Sequence, residues 1–135
     1  MKNIIRSVSA VLAGLVVLTV LSFVLEAVTN ALLARAFSGP LPDPSAPGHN
    51  VPARLFDLLL TLASVAAGGY VTAWLANPST ATRHAVILGV MEVIMTIGAM
   101  LALGNAAPLW SWIAAIIFII PAAWLGSRVR TNNGT

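Results

Sequence analysis

Residues 85–103 read AVILGVMEVIMTIGAMLAL, an apolar run broken by a single carboxylate, Glu92. A run of this length is a candidate membrane span, and a charge near the middle of a span costs several kcal/mol on insertion scales. Glu92 therefore needs a partner, a proton or a function at that depth. Ala85, Gly89, Thr96 and Ala99 fall three or four residues apart on its helical face. They form a small, polar seam against which other helices can pack.

The remainder of the chain is of the same character. It is 59% hydrophobic and 8% charged, with a mean hydropathy of +0.93, whereas about a quarter of the residues in an ordinary soluble domain carry charge. The expected fold class is all-α: an integral membrane four-helix transmembrane bundle, formed as a single domain over residues 1–135. Spans are expected at residues 4–33, 53–76, 83–103 and 108–127. The net charge of +3 comes from 7 basic and 4 acidic residues scattered singly, which makes no nucleic-acid patch. The absence of cysteine excludes disulfides, thiolate metal sites and cysteine nucleophiles.

Lys2 and Arg6 precede a charge-free run over residues 7–25, the pattern of a signal peptide, and Ala34, Arg35 and Ala36 imitate a small-residue cleavage site. The apolar run is too long for that role and contains Glu26, so an uncleaved first span is expected, long enough to tilt or protrude. Thr19, Ser22, Glu26 and Thr29 recur every three or four residues, with Asn30 alongside, and predict one polar face on this helix.

Residues 38–52 then change abruptly to SGPLPDPSAPGHNVP, with five prolines that remove backbone donors and disfavour helix. This stretch is expected to be an extracytoplasmic loop, either a partner-binding surface or lid or a plain crossover. Its His49 and Asp43 are too few for a metal site.

The second span follows Pro52 and stops at Asn77 and Pro78, and Asp57, Thr61, Ser64, Gly68 and Thr72 line a second seam. Ser79, Thr80 and Thr82 can each cap the third span, and Gly104 with Asn105 provides its stop. Pro108 opens the fourth. Pro121 predicts a bend inside it, helped by Gly126, and the polar tail from Arg128 is expected to fray.

Basic residues set the expected sidedness. Lys2, Arg6, Arg83, Arg128 and Arg130 fall on one side against Arg35 and Arg54 on the other, which places both termini in the cytoplasm. Trp74 and Trp124 then lie at the inner interface, and Trp110 and Trp112 at the outer. Glu26 and Asp57 come near the outer interface, within reach of Arg35 and Arg54, where structural ion pairing is the expected role. Glu92, some eight residues past the inner edge of its span, lies about 12 Å deep by helical rise. No basic residue of its own span lies at that level.

Four spans in a small chain, with a carboxylate in the first (LSFVLEAVTN), resemble the small multidrug resistance transporters. The resemblance implies a membrane glutamate that exchanges protons for cationic drugs across an antiparallel dimer. The Pro-rich loop, the second deep acid at Glu92 and the charge asymmetry depart from that pattern. More of the chain, AGGYVTAWLA followed by RHAVILG, is similar to small four-helix bacterial inner-membrane proteins. Val24, Leu25 and Glu26 also echo Val90, Met91 and Glu92, as in a repeat of two parallel hairpins.

The sequence offers no phosphate loop, no nucleophile with a base nearby and no ligand cluster, so neither a cofactor nor a metal is expected. Met91 and Met95 share a helix face and are expected to fill gaps in a helix interface. The expected function is that of a non-catalytic inner-membrane protein, not an enzyme. Its partners are the lipid bilayer and either further copies of itself, as a homo-oligomer, or a larger membrane complex, met through the small-residue seams. The alternative is a small proton-coupled transporter using Glu92 and Glu26.

A reporter fused after Thr135 should read as cytoplasmic, and one inserted at Ser45 as periplasmic. Equal populations of both orientations would overturn the asymmetry argument and favour the drug-exporter resemblance.

Overall fold

A computed structural model describes residues 2–36, 51–103 and 107–132. They form four helices in the order α1 (Lys2–Ala36), α2 (Val51–Leu75), α3 (Ala81–Leu103) and α4 (Leu109–Asn132). Each contains a stretch long and apolar enough to cross a membrane, at Ile4–Thr29, Arg54–Leu75, Ala81–Leu103 and Leu109–Asn132. Most of the Pro-rich loop, with His49 and Asp43, and the stop at Gly104 and Asn105 lie outside the described residues.

The boundaries follow local chemistry. α1 runs for 35 residues, about 52 Å at the α-helical rise, well beyond a ~30 Å hydrocarbon core. α2 takes Pro52 into its first turn instead of starting after it. A first-turn amide has no intrahelical acceptor, so proline loses nothing there. Of the three candidate caps for α3, Thr80 takes the position: its carbonyl accepts the His84 amide at 3.1 Å, and its hydroxyl donates to Asn77 O at 3.3 Å. Thr82 lies inside the helix.

The end of α4 corrects the expected frayed tail, because the helix continues to Asn132. Ser127 is buried and its hydroxyl donates to Trp124 O at 2.7 Å, while the Arg128 guanidinium lies 4.6 Å above the centroid of the Trp124 ring. That spacing of four residues is one helical turn, so stacking on the ring favours continued helix. Pro121 sits on the exposed side of a helix that continues through it.

α2 touches all three other helices; α4 packs on α2 and α3, and α1 packs chiefly on α2. Glycines decide how closely. A Cβ at Gly69 would collide with the carbonyl oxygen of Ala123, and one at Gly126 with the carbonyl oxygen of Ala66, lying 2.8 Å from that residue's carbonyl carbon. The contact is reciprocal: Ala66 and Gly69 on α2 meet Ala123 and Gly126 on α4 with the same spacing. Gly126 thus serves a helix crossing.

α1 docks by the same device on the next residue of α2. A Cβ at Gly14 would lie 2.7 Å from Gly68 O, and one at Gly68 would lie 2.8 Å from Gly14 O and 3.0 Å from the Leu18 Cβ. Such approaches permit Cα–H···O contacts and dense backbone packing, the main attractions between helices in lipid. Around them pack one cluster of Leu18, Val65, Ile119, Ala122 and Ala123 and a second of Ala10, Ala73, Ala76 and Ala81.

Gly69→Ala and Gly126→Ala should each lower stability in detergent by roughly 1–3 kcal/mol, the usual cost of overpacking, because the added methyl meets main chain that cannot rotate aside. Gly98 has nothing within 4 Å of an added Cβ, so Gly98→Ala should leave melting unchanged or raise stability by up to about 1 kcal/mol. Equal melting of all three variants would contradict the close crossing.

Candidate functional site

Glu92 stands at the midpoint of α3, eleven residues from Ala81 and eleven from Leu103. That is about 16 Å from either end by helical rise, deeper than the expected depth of about 12 Å. The small-residue seam holds its expected orientation. Ala85, Leu88 and Gly89 are buried, and Glu92, Thr96 and Ala99 are half-buried on the same side, while Val90, Ile94 and Ile97 are exposed.

Contacts on either side of Glu92 explain this. A Cβ at Gly89 would lie 3.2 Å from the Ala123 Cβ and 3.3 Å from the Ile120 Cα of α4, and the Leu88 side chain covers Gly68 of α2. Val93 packs against the cluster around Leu18, Val65 and Ile119. Glu92 is held at the edge of this packing, neither enclosed nor fully open.

The seam hydroxyls of Thr61, Ser64 and Thr96 make no hydrogen bond to its carboxyl. Ser64 is fully buried, but its hydroxyl donates to Leu60 O at 3.0 Å in its own helix. Thr61 and Thr96 are half-buried. Among the described residues no side chain donates a hydrogen bond to Glu92. The second seam is otherwise as expected, with Ser64, Gly68 and Thr72 buried, except that Asp57 at its outer end is exposed. Thr72 Oγ1 is buried without a hydrogen-bond partner and lies against Gly14.

The polar face predicted for α1 does not form its packing face. Ala10, Val11, Gly14 and Leu18 turn inward, whereas Thr19 and Glu26 are exposed and Ser22 and Thr29 only half-buried. The reason is steric: only the face bearing Gly14 lets the α1 backbone reach Gly68. Rotation by successive helical steps then carries Thr19 and Glu26 to the flank. Thr19 meets its own need by donating to Leu15 O at 2.8 Å.

Glu26 and Asp57 therefore lie on the outside of the bundle. Arg54 is half-buried, and the side chain of Arg35 lies outside the described residues. Met91 and Met95 are exposed instead of filling an interface within the chain. Trp112, expected at the outer interface, has its indole Nε1 buried with no hydrogen-bond partner among the described residues. No three His, Asp or Glu side chains come together among the described residues.

No family model, curated protein or solved structure matches this chain. Its chemistry rests on what the geometry offers: a carboxyl group at mid-helix, half-exposed, with a small-residue seam beside it and no donor among the described residues.

Because no donor among the described residues is stranded when that carboxyl is removed, Glu92→Gln and Glu92→Leu should both melt, compared as monomers in detergent, within about 0.5 kcal/mol of the unaltered chain, as surface substitutions do. A loss of roughly 1–3 kcal/mol in Glu92→Leu alone would reveal a buried donor that pairs with Glu92.

Proposed function

We propose that this chain is a non-catalytic, multi-pass protein of the bacterial inner membrane, cytoplasmic at both ends, that packs against further copies of itself or against a larger membrane complex. The observation that carries this reading is Glu92. It occupies the centre of α3, a helix of which only Ala81, Ala85, Leu88 and Gly89 are buried.

In a single chain surrounded by lipid, a half-exposed carboxyl at that depth would face hydrocarbon, at a cost of several kcal/mol. A neighbouring helix that supplies a donor removes that cost. The exposed apolar residues beside it, such as Ile94 and Met95, give the neighbour a surface to pack on. Glu26 and Asp57 add polar groups near the other interface.

Chemical cross-linking in membranes, followed by sizing in mild detergent, tests this. The unaltered chain should be recovered as an oligomer or with one fixed partner, and Glu92→Leu should be recovered as a folded monomer. A chain that stays monomeric throughout would overturn the proposal. So would substrate-dependent proton uptake in proteoliposomes that disappears in Glu92→Gln, because an amide cannot carry a proton and the carboxyl would then be the transport group of the alternative reading.

A further inference from the structure

We propose that the cleft between the first turns of α3 and the last turns of α4 binds an anionic phospholipid, with the phosphate on Arg83 and Arg128 and the upper acyl chain along Val86 and Ile87. The cleft has a volume of about 660 Å³ and is lined by Thr80, Thr82, Arg83, His84, Val86, Ile87 and Trp124. Arg128 stands over the ring of Trp124, one of those lining residues, at 4.6 Å and one turn closer to the end of the bundle.

Its lining changes character with depth. Thr80, Thr82, Arg83 and His84 belong to the end of the bundle, and Val86 and Ile87 lie one turn further in. Polar and cationic groups at the mouth with apolar walls behind them match a lipid headgroup and the chain that follows it. His84 adds to the fit, since its Nδ1 lies 2.8 Å from Thr80 O, which fixes the ring and leaves Nε2 as its remaining polar atom.

Charge points to the same occupant. The packing of Ala10, Ala73, Ala76 and Ala81 brings the start of α1, the end of α2 and the start of α3 to one end of the bundle. The end of α4 joins them through Trp124. This end carries Arg6, Arg83, Arg128 and Arg130, whereas the acids of the chain are Glu26, Asp43, Asp57 and Glu92, none of them in residues 2–10, 70–91 or 122–132. Arg6 donates from Nε to Leu75 O at 3.0 Å, at the end of α2. Among the described residues no carboxylate pairs with Arg83 or Arg128. An unneutralised cationic mouth at the depth of lipid headgroups attracts anionic lipid. A tryptophan at that level is typical of the membrane interface.

The inference rests on the helices spanning a bilayer, and not on the chain having a protein partner. The full chain is placed in phosphatidylcholine vesicles containing equal small fractions of either brominated phosphatidylglycerol or brominated phosphatidylcholine, with bromine on the upper acyl carbons. Quenching of Trp124 is read as the difference between the chain and Trp124→Phe.

Each arginine near the surface should contribute roughly a five-fold preference, so the anionic lipid should quench Trp124 at a several-fold lower fraction than the zwitterionic one. The preference should vanish when Arg83→Gln and Arg128→Gln are combined and persist when Arg83→Lys and Arg128→Lys are combined, which separates loss of charge from loss of fold. Equal quenching by the two lipids would overturn the proposal, as would a preference that survives the double glutamine change. Removal of the preference by inorganic phosphate at constant ionic strength would also overturn it, by assigning the cleft to free phosphate. No quenching of any tryptophan by either lipid would overturn the membrane reading together with the proposal.

Discussion

Contact between bare backbones at Gly68 and Gly69 of α2 is the constraint on which the rest of the bundle depends. Gly68 lies against Gly14 of α1, and Gly69 lies against Ala123 of α4 beside Gly126. Each crossing is reciprocal, with a glycine from both helices facing a carbonyl of the other. In water, burial of large apolar side chains would dominate such packing; in lipid that drive is absent, and short-range dispersion and Cα–H···O contacts take its place. Those forces fall off within an ångström or so, and the small residues therefore fix which turns meet as well as how closely. The large apolar side chains are left mostly outside, as the exposure of Phe23, Ile94, Leu101 and Ile117 shows.

The elements were legible because apolar length is a strong signal, and the seams of α2 and α3 were legible because small residues at helical spacing are the means of close approach. On α1 the polar residues Thr19, Ser22 and Glu26 obscured the face set by Ala10, Gly14 and Leu18. On α4 the nearby Pro121 drew attention away from Gly126 as a crossing residue, although the matching spacing of Ala66 with Gly69 and of Ala123 with Gly126 is visible in the sequence and marks the crossing. The pairing of Trp124 with Arg128 four residues later was likewise available as a sign that the helix continues.

The candidate site was legible in part for a physical reason. Glu92 stands out by composition alone, but whether a hydroxyl reaches it depends on rotamers that sequence spacing does not determine. In the fold, Ser64 and Thr19 turn their hydroxyls back to carbonyls one turn earlier in their own helices. Serine and threonine in apolar helices commonly bond in this way. The seam is consequently less polar toward its neighbours than its residue types suggest.

The adjacency of the two glycines also sets an angle. Successive residues of an α-helix project about 100° apart around its axis. Because α1 seats on one glycine and α4 on the next, the directions from α2 to its two closest neighbours inherit roughly that angle from the helical pitch. Three helices so arranged form an open corner, not a layer, and α3 has the inside of that corner to occupy. The cross-section of the whole bundle thus follows from a dipeptide: separating the glycines by one residue would double the turn between them to about 200°, place α1 and α4 on opposite sides of α2, and leave α3 no corner to fill.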